Sequence, residues 1–275
     1  MYNFKVIKSG DVIEIYRIYN YNVLESKKDE GYKIVDKLLE KLEENEDKQK
    51  GKQTKQDRIK TLNQSKNNII RLIRSNPDMQ TFITLTFAKE FDYKESKAKL
   101  NNFFTKLRKR YTQLKYLWVL EYGDKNNRLH YHVLCNIPID IKLSSSKEEK
   151  TEDHKKLEQE FNKKYWGYGF VDIRHLKKEE NTNIALYVSM YIVKSLKDLE
   201  LEGYRVYSYS KKTLEKPIEI KGYTKKNIDE LLREYRDYKI KFSNNYDIGY
   251  TNFKGDHKGN VAYIELIKEK RNFSE

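Results

Sequence analysis

The segment Arg128-Leu-His-Tyr-His-Val-Leu134 places two of the chain's 5 histidines on either side of a tyrosine, inside an apolar run. Random placement would give only about 0.1 pairs at that spacing. On a strand, residues two apart share a face, so His130 and His132 project together while Leu129, Tyr131 and Val133 face the other way. Two imidazoles fixed side by side are a start for a divalent-metal site, which needs a further donor. Glu121, near the end of the preceding segment YLWVLEY, is the best-placed carboxylate. It shares the histidine face if an even number of residues connects the strands, such as Gly123 to Asn126; an odd number turns it away. Two imidazoles and a carboxylate with open positions suit Mn²⁺ or Mg²⁺ acting on a phosphate oxygen. The plainer alternative is a pair of half-exposed strand histidines. The threonines of TFITLTF favour the metal site, because they give the sheet a neighbouring polar face.

A second constellation is Tyr187-Val-Ser-Met-Tyr191-Ile-Val-Lys194. On a helix, Tyr187, Tyr191 and Lys194 line one face, while Ala185, Val188, Ile192, Leu196 and Leu199 form a separate apolar stripe. Tyrosine pairs four apart are expected about twice by chance in so tyrosine-rich a chain, so this helix gains meaning only beside the histidines. A phenol can attack a phosphodiester when a metal polarises the phosphoryl oxygen. A lysine one turn away offsets charge on the phosphate or favours the phenolate.

The elements that must position these groups follow from pattern. Residues 2–18 read as two strands around Ser9-Gly10-Asp11. A helical pattern with a highly charged middle runs over 32–74, and Pro77 ends it. TFITLTF (81–87) is a strand, and 94–114 a basic helix with Leu100, Phe103, Phe104 and Leu107 as its buried stripe. Its Lys106, Arg108, Lys109 and Arg110 would contact a DNA backbone or form a solvated face, and Arg128 is a further candidate for DNA contact. The segments 116–122 and 128–135 form a hairpin carrying the histidines. Then come a polar loop (140–153), a helix near 154–165, the strand GYGFVDIRHL and a helix over 181–200. Short strands are expected around 204–210 and 239–267, with a helix near 225–236.

The 275 residues carry a net charge of +14, with 23 tyrosines and 11 phenylalanines. That charge suggests a polyanionic partner, and aromatics interleaved with Lys and Arg suit single-stranded nucleic acid. The lone cysteine, Cys135, excludes an internal disulfide framework or a multi-cysteine zinc site and reads as a small buried apolar residue. With neither a signal-peptide core nor a membrane-spanning run, a cytoplasmic protein with no membrane partner is expected.

FITLTF, RLHYHVL and YVSMYIVK, in that order, resemble the three motifs of the HUH endonucleases (histidine, hydrophobic, histidine). The resemblance is to the rolling-circle replication initiators of plasmids and single-stranded DNA phages, over about 77–215. It implies His130 and His132 as metal ligands with Glu121 as the third, and Mn²⁺ or Mg²⁺ as cofactor. Tyr191, within Tyr-x-x-Lys, would be the nucleophile, Lys194 its helper and Tyr187 the second tyrosine of the two-tyrosine branch. The motif order differs from that of conjugative relaxases. The implied fold is α+β, with a central antiparallel sheet of about five strands, a ferredoxin-like palm, and helices on one face. N- and C-terminal elaborations would flank it, giving a hairpin and charged helical region at 1–76, a nuclease core at 77–215 and an α/β extension at 216–275. The implied substrate is single-stranded DNA at a replication origin. No GxxxxGKS or GxxxxGKT loop occurs, so a host helicase, like the polymerase, would be a partner. Two other readings are a transposase of the same chemistry and a non-catalytic single-strand binder indifferent to His130→Ala.

Overall fold

The computed structural model describes residues 2–19, 55–122, 128–144, 148–176, 185, 188–191, 204–252 and 255–269, with only the backbone at 55–63, 248–252 and 255–258. The chain forms two compact units, residues 35–215 and the combined ends, 1–34 with 216–275.

The larger unit is built on an antiparallel sheet of β3 (Thr81–Phe87), β4 (Tyr116–Tyr122), β5 (Leu129–Cys135), β6 (Gly169–His175) and β7 (Tyr207–Tyr209). Its order is β6-β3-β5-β4-β7, so the histidine strand β5 is central. Strand alternation sorts the two faces. One carries Ile83, Leu85, Tyr131, Val133 and Ile173, all fully buried. Helix α2 (Tyr93–Arg110) closes over it with Leu100, Phe103, Phe104 and Leu107. Burying each such side chain stabilises the fold by about 1.5–3 kcal/mol. Phe104 stacks on Tyr116 at 3.8 Å, and the buried Tyr131 hydroxyl meets Ser96 Oγ at 2.9 Å. Asp92 caps the start of α2 by accepting the Glu95 backbone N–H. Helix α1 (Lys55–Ser75) precedes β3 in this unit; the rest of the helical pattern expected over 32–74 lies outside the described residues.

Helix α3 (Glu152–Phe161) runs into a π-turn over Asn162–Trp166, which Gly167 ends at φ 77°. Buried Trp166 packs on Phe87 and donates from Nε1 to the Thr86 carbonyl at 3.2 Å. Gly169 approaches that carbonyl so closely that a Cβ would lie 2.1 Å from its oxygen. His154, inconspicuous in its polar stretch of sequence, is fully buried and ties α3 to β6. Its Nδ1 accepts the Ser144 N–H at 3.1 Å, so the proton sits on Nε2, 2.9 Å from the Ile173 carbonyl.

The second unit holds another antiparallel sheet, in the order β8-β1-β2-β10-β9. Its strands are β1 (Phe4–Ser9), β2 (Val12–Tyr19), β8 (Ile218–Gly222), β9 (Tyr238–Asn252) and β10 (Gly255–Lys268). The β1–β2 turn falls at the expected Ser9-Gly10-Asp11, with Gly10 at φ 57°. Val6, Ile13, Ile15, Ile264 and Leu266 form the core with Leu231 of the short helix α4 (Ile228–Leu232). Buried Arg17 is satisfied by the carbonyls of Asn3, Ile18, Thr224 and Lys226.

The structure corrects two expectations. The regions 1–76 and 216–275 are not separate elaborations, because β1 pairs with β8, and β2 with β10. Residues 239–267 form no short strands but two long ones, of 15 and 14 residues, paired along their length.

Candidate active site

On the other face of the larger sheet, cross-strand pairing aligns polar residues in rows. Glu121 of β4 pairs with His130 of β5, which pairs with Thr86 of β3. His132 pairs with Thr84, and Thr84 with Asp172 of β6. Directly opposed residues share a face, so Glu121, His130, His132, Thr84 and Thr86 all project together. The parity condition for Glu121 is met: Tyr122 pairs with Leu129, leaving residues 123–128, an even number, between them.

Both imidazoles are pinned from β3. Thr84 Oγ1 lies 3.2 Å from His132 Nδ1, and Thr86 Oγ1 lies 3.1 Å from His130 Nδ1. His132 and Glu121 are buried, with His132 Nε2 3.0 Å from Glu121 Oε2. Two hydrogen-bonding arrangements satisfy this contact. If Thr84 donates to Nδ1, the Nε2–H donates to the carboxylate. If Nδ1–H donates to Thr84, the Nε2 lone pair faces a carboxylate oxygen, which is repulsive without a cation between them. Either way the pair is built around a positive charge, a proton or a metal ion.

Two imidazoles, a carboxylate and hydroxyls on the far ring nitrogens are the donor chemistry of a divalent-metal site with its supporting shell. The arrangement is not drawn into ligation geometry: among the described residues, no group of three His, Cys, Asp or Glu is poised to hold a metal ion. The fit therefore lies in the type and placement of the donors.

The helical residues 188–191 stand over this same face. The Tyr191 ring lies 4.2 Å from the His132 ring, centroid to centroid, tilted by 35°. Phe82 of β3 contacts both, stacked on His132 at 5.6 Å and 6.0 Å from Tyr191. Sequence reasoning overlooked Phe82, although its place two residues before Thr84 on TFITLTF was a usable signal. Helices thus cover both faces of the sheet rather than one, since α2 occupies the apolar side. Tyr187 and Lys194 lie outside the described residues.

Other groups are separated from the site or quenched by burial. Tyr131, between the histidines in sequence, points to the opposite face, where burial pushes its phenol well above the ordinary value despite the bond to Ser96. Burial likewise pushes the Cys135 thiol up to about 12. The basic residues Lys106, Arg108, Lys109 and Arg110 sit on α2, against the apolar face. Lys106 donates to the Tyr165 carbonyl, and Arg108 donates to the Tyr116 hydroxyl while lying over its ring. The structure does not bring them to the histidines. Arg128 immediately precedes β5 and is half-buried.

Comparison with known proteins agrees with this geometry. Residues 80–196 match the family model for the replication-associated protein ORF2, a span that contains Glu121, both histidines and Tyr191. The chain is 32% identical over 147 residues to the replication-associated protein ORF2 of Spiroplasma virus 4, covering 47% of this chain and 44% of the relative. It thus spans less than half the length of that curated relative. No solved structure matches. Both similarities fit a rolling-circle replication protein of phage type and support a role in initiating replication.

Proposed function

We propose that this chain is a metal-dependent, site-specific single-strand DNA endonuclease and strand transferase that starts rolling-circle replication. The contact between the Tyr191 and His132 rings carries the reading, because it places a phenol beside the candidate metal donors on one sheet face.

His130, His132 and Glu121 would hold a divalent ion, Mn²⁺ or Mg²⁺, which when bound supplies Lewis-acid polarisation of a phosphoryl oxygen. Thr84 and Thr86 fix the imidazole orientations, and Phe82 keeps the Tyr191 ring against His132. The Tyr191 oxygen forms a bond to phosphorus and the bond from phosphorus to the 3′ oxygen breaks. The phenol's proton is lost and the 3′ oxygen takes one up. The products are a 5′-phosphotyrosine and a free 3′ hydroxyl for a host polymerase. Lys194 would offset charge on the phosphate. Tyr187 would serve a second transfer, attacking while Tyr191 holds the first strand. The substrate is single-stranded DNA at an origin exposed with the aid of a host helicase. Among the described residues no helix is long and apolar enough to cross a membrane.

The test is to incubate the full chain with labelled single-stranded oligonucleotides tiled across the genome that encodes it, with Mn²⁺ or with EDTA. The reading expects cleavage at one sequence, a detergent-resistant protein–DNA adduct and an extendable 3′ end, all lost in EDTA. Binding without cleavage or adduct on every oligonucleotide would replace it with the passive single-strand binder.

A further inference from the structure

We propose that Phe170 is a stacking platform for a base of the single-stranded DNA that lies across the histidine face. The proposal rests on the reading above and adds a binding residue to it. Phe170 sits on β6, an edge strand, with 64% of its surface exposed. An isolated exposed apolar residue is ordinary and by itself means little. Position is what distinguishes this one. Phe170 pairs with Thr86, Thr86 with His130, and His130 with Glu121, so the ring continues the row of candidate metal donors on the same face. Two strand spacings, about 10 Å, separate it from the histidine strand. A DNA strand with its phosphate at His130 and Glu121 would cross β3 and lay a flanking base at this edge.

The platform is also held rigidly. Gly169, the preceding residue, is seated against the Thr86 carbonyl where no Cβ would fit, and its own carbonyl accepts from Asn162 Nδ2 at 2.6 Å. Thr86 in turn contacts His130, so the same backbone fixes the ring and the imidazole. Met190, beside Tyr191 in sequence, is 61% exposed. The larger unit therefore keeps two large apolar side chains in water beside its most polar face. Every base has a π-face, so such a ring binds DNA with little regard to sequence.

The experiment compares oligo(dT) with an abasic deoxyribose-phosphate oligomer of equal length, in EDTA, by fluorescence anisotropy on the full chain. Charge is the same in both, so the difference reports stacking alone. The wild type should prefer oligo(dT), and Phe170→Ala should lower that affinity on the order of tenfold while leaving the abasic oligomer unaffected. Phe170→Tyr should keep the preference and Phe170→Leu should lose it. In Phe170→Trp, the new indole should be quenched by oligo(dT) and not by the abasic oligomer, against buried Trp118 and Trp166 as background. A wild type without preference, or a Phe170→Ala protein that retains it, overturns the proposal. If the preference depends on Phe170 but no adduct ever forms, the nuclease reading falls and the platform stands. If adducts form and the preference ignores Phe170, the platform alone falls.

Discussion

Tyr191 and His132 lie ring against ring, 4.2 Å between centroids, although 59 positions separate them in sequence and they come from a helix and a central strand. Two sparse motifs, each weak alone, are thereby joined into one chemical unit.

The threonines of β3 bear on metal affinity without touching the metal. Replacing Thr84 or Thr86 by valine keeps the shape and removes the hydroxyl beside an imidazole Nδ1. Mn²⁺ affinity measured by calorimetry should fall about 10–100-fold, with the circular dichroism spectrum unchanged. Unchanged affinity in both variants would remove the threonines from the site.

The close contact between Glu121 and His132 implies that a metal ion displaces a proton. Metal affinity should therefore weaken as pH is lowered, and binding should release protons in lightly buffered solution. Glu121→Gln should reduce both the affinity and the proton release.

How much of this the sequence revealed differs by element. TFITLTF, the histidine hairpin and the stripe on α2 were legible because alternation and helical spacing are local. Glu121 was found by a parity argument that the Tyr122–Leu129 pairing satisfies. The pairing of β2 with β10 was not legible, since it joins residues nearly a whole chain apart and leaves no local mark. The arrangement around His154 was hidden for a related reason. The residue sits in a polar stretch, and only the fold brings Ser144 and Ile173 to its two nitrogens.

His154→Ala should destabilise the larger unit without touching the proposed chemistry. It opens a cavity and orphans the Ser144 N–H and the Ile173 carbonyl, each costing about 1–3 kcal/mol. Urea unfolding should show the loss, and oligonucleotide binding at low temperature should be retained.

Asp172 gives the β6 edge an acid limit. Burial pushes its carboxyl up, but hydrogen bonds and charge from Arg174 and Lys150 outweigh this and hold it below the ordinary value. A lowered folded-state pKa contributes stability that is present above the unfolded value, about 4, and is lost as pH falls through the folded one. Asp172→Asn should melt earlier than the wild type at neutral pH, and the gap should close below about pH 4. A gap independent of pH would assign the effect to packing.

The central claim concerns a single phenol oxygen, and Tyr191→Phe removes it while keeping the ring that packs on His132 and Phe82. With the labelled oligonucleotide that the wild type cleaves, in Mn²⁺, this variant should bind with unchanged affinity, and peptide mapping should find no DNA-linked residue at position 191. Cleavage and covalent attachment at the wild-type rate in Tyr191→Phe would contradict the account.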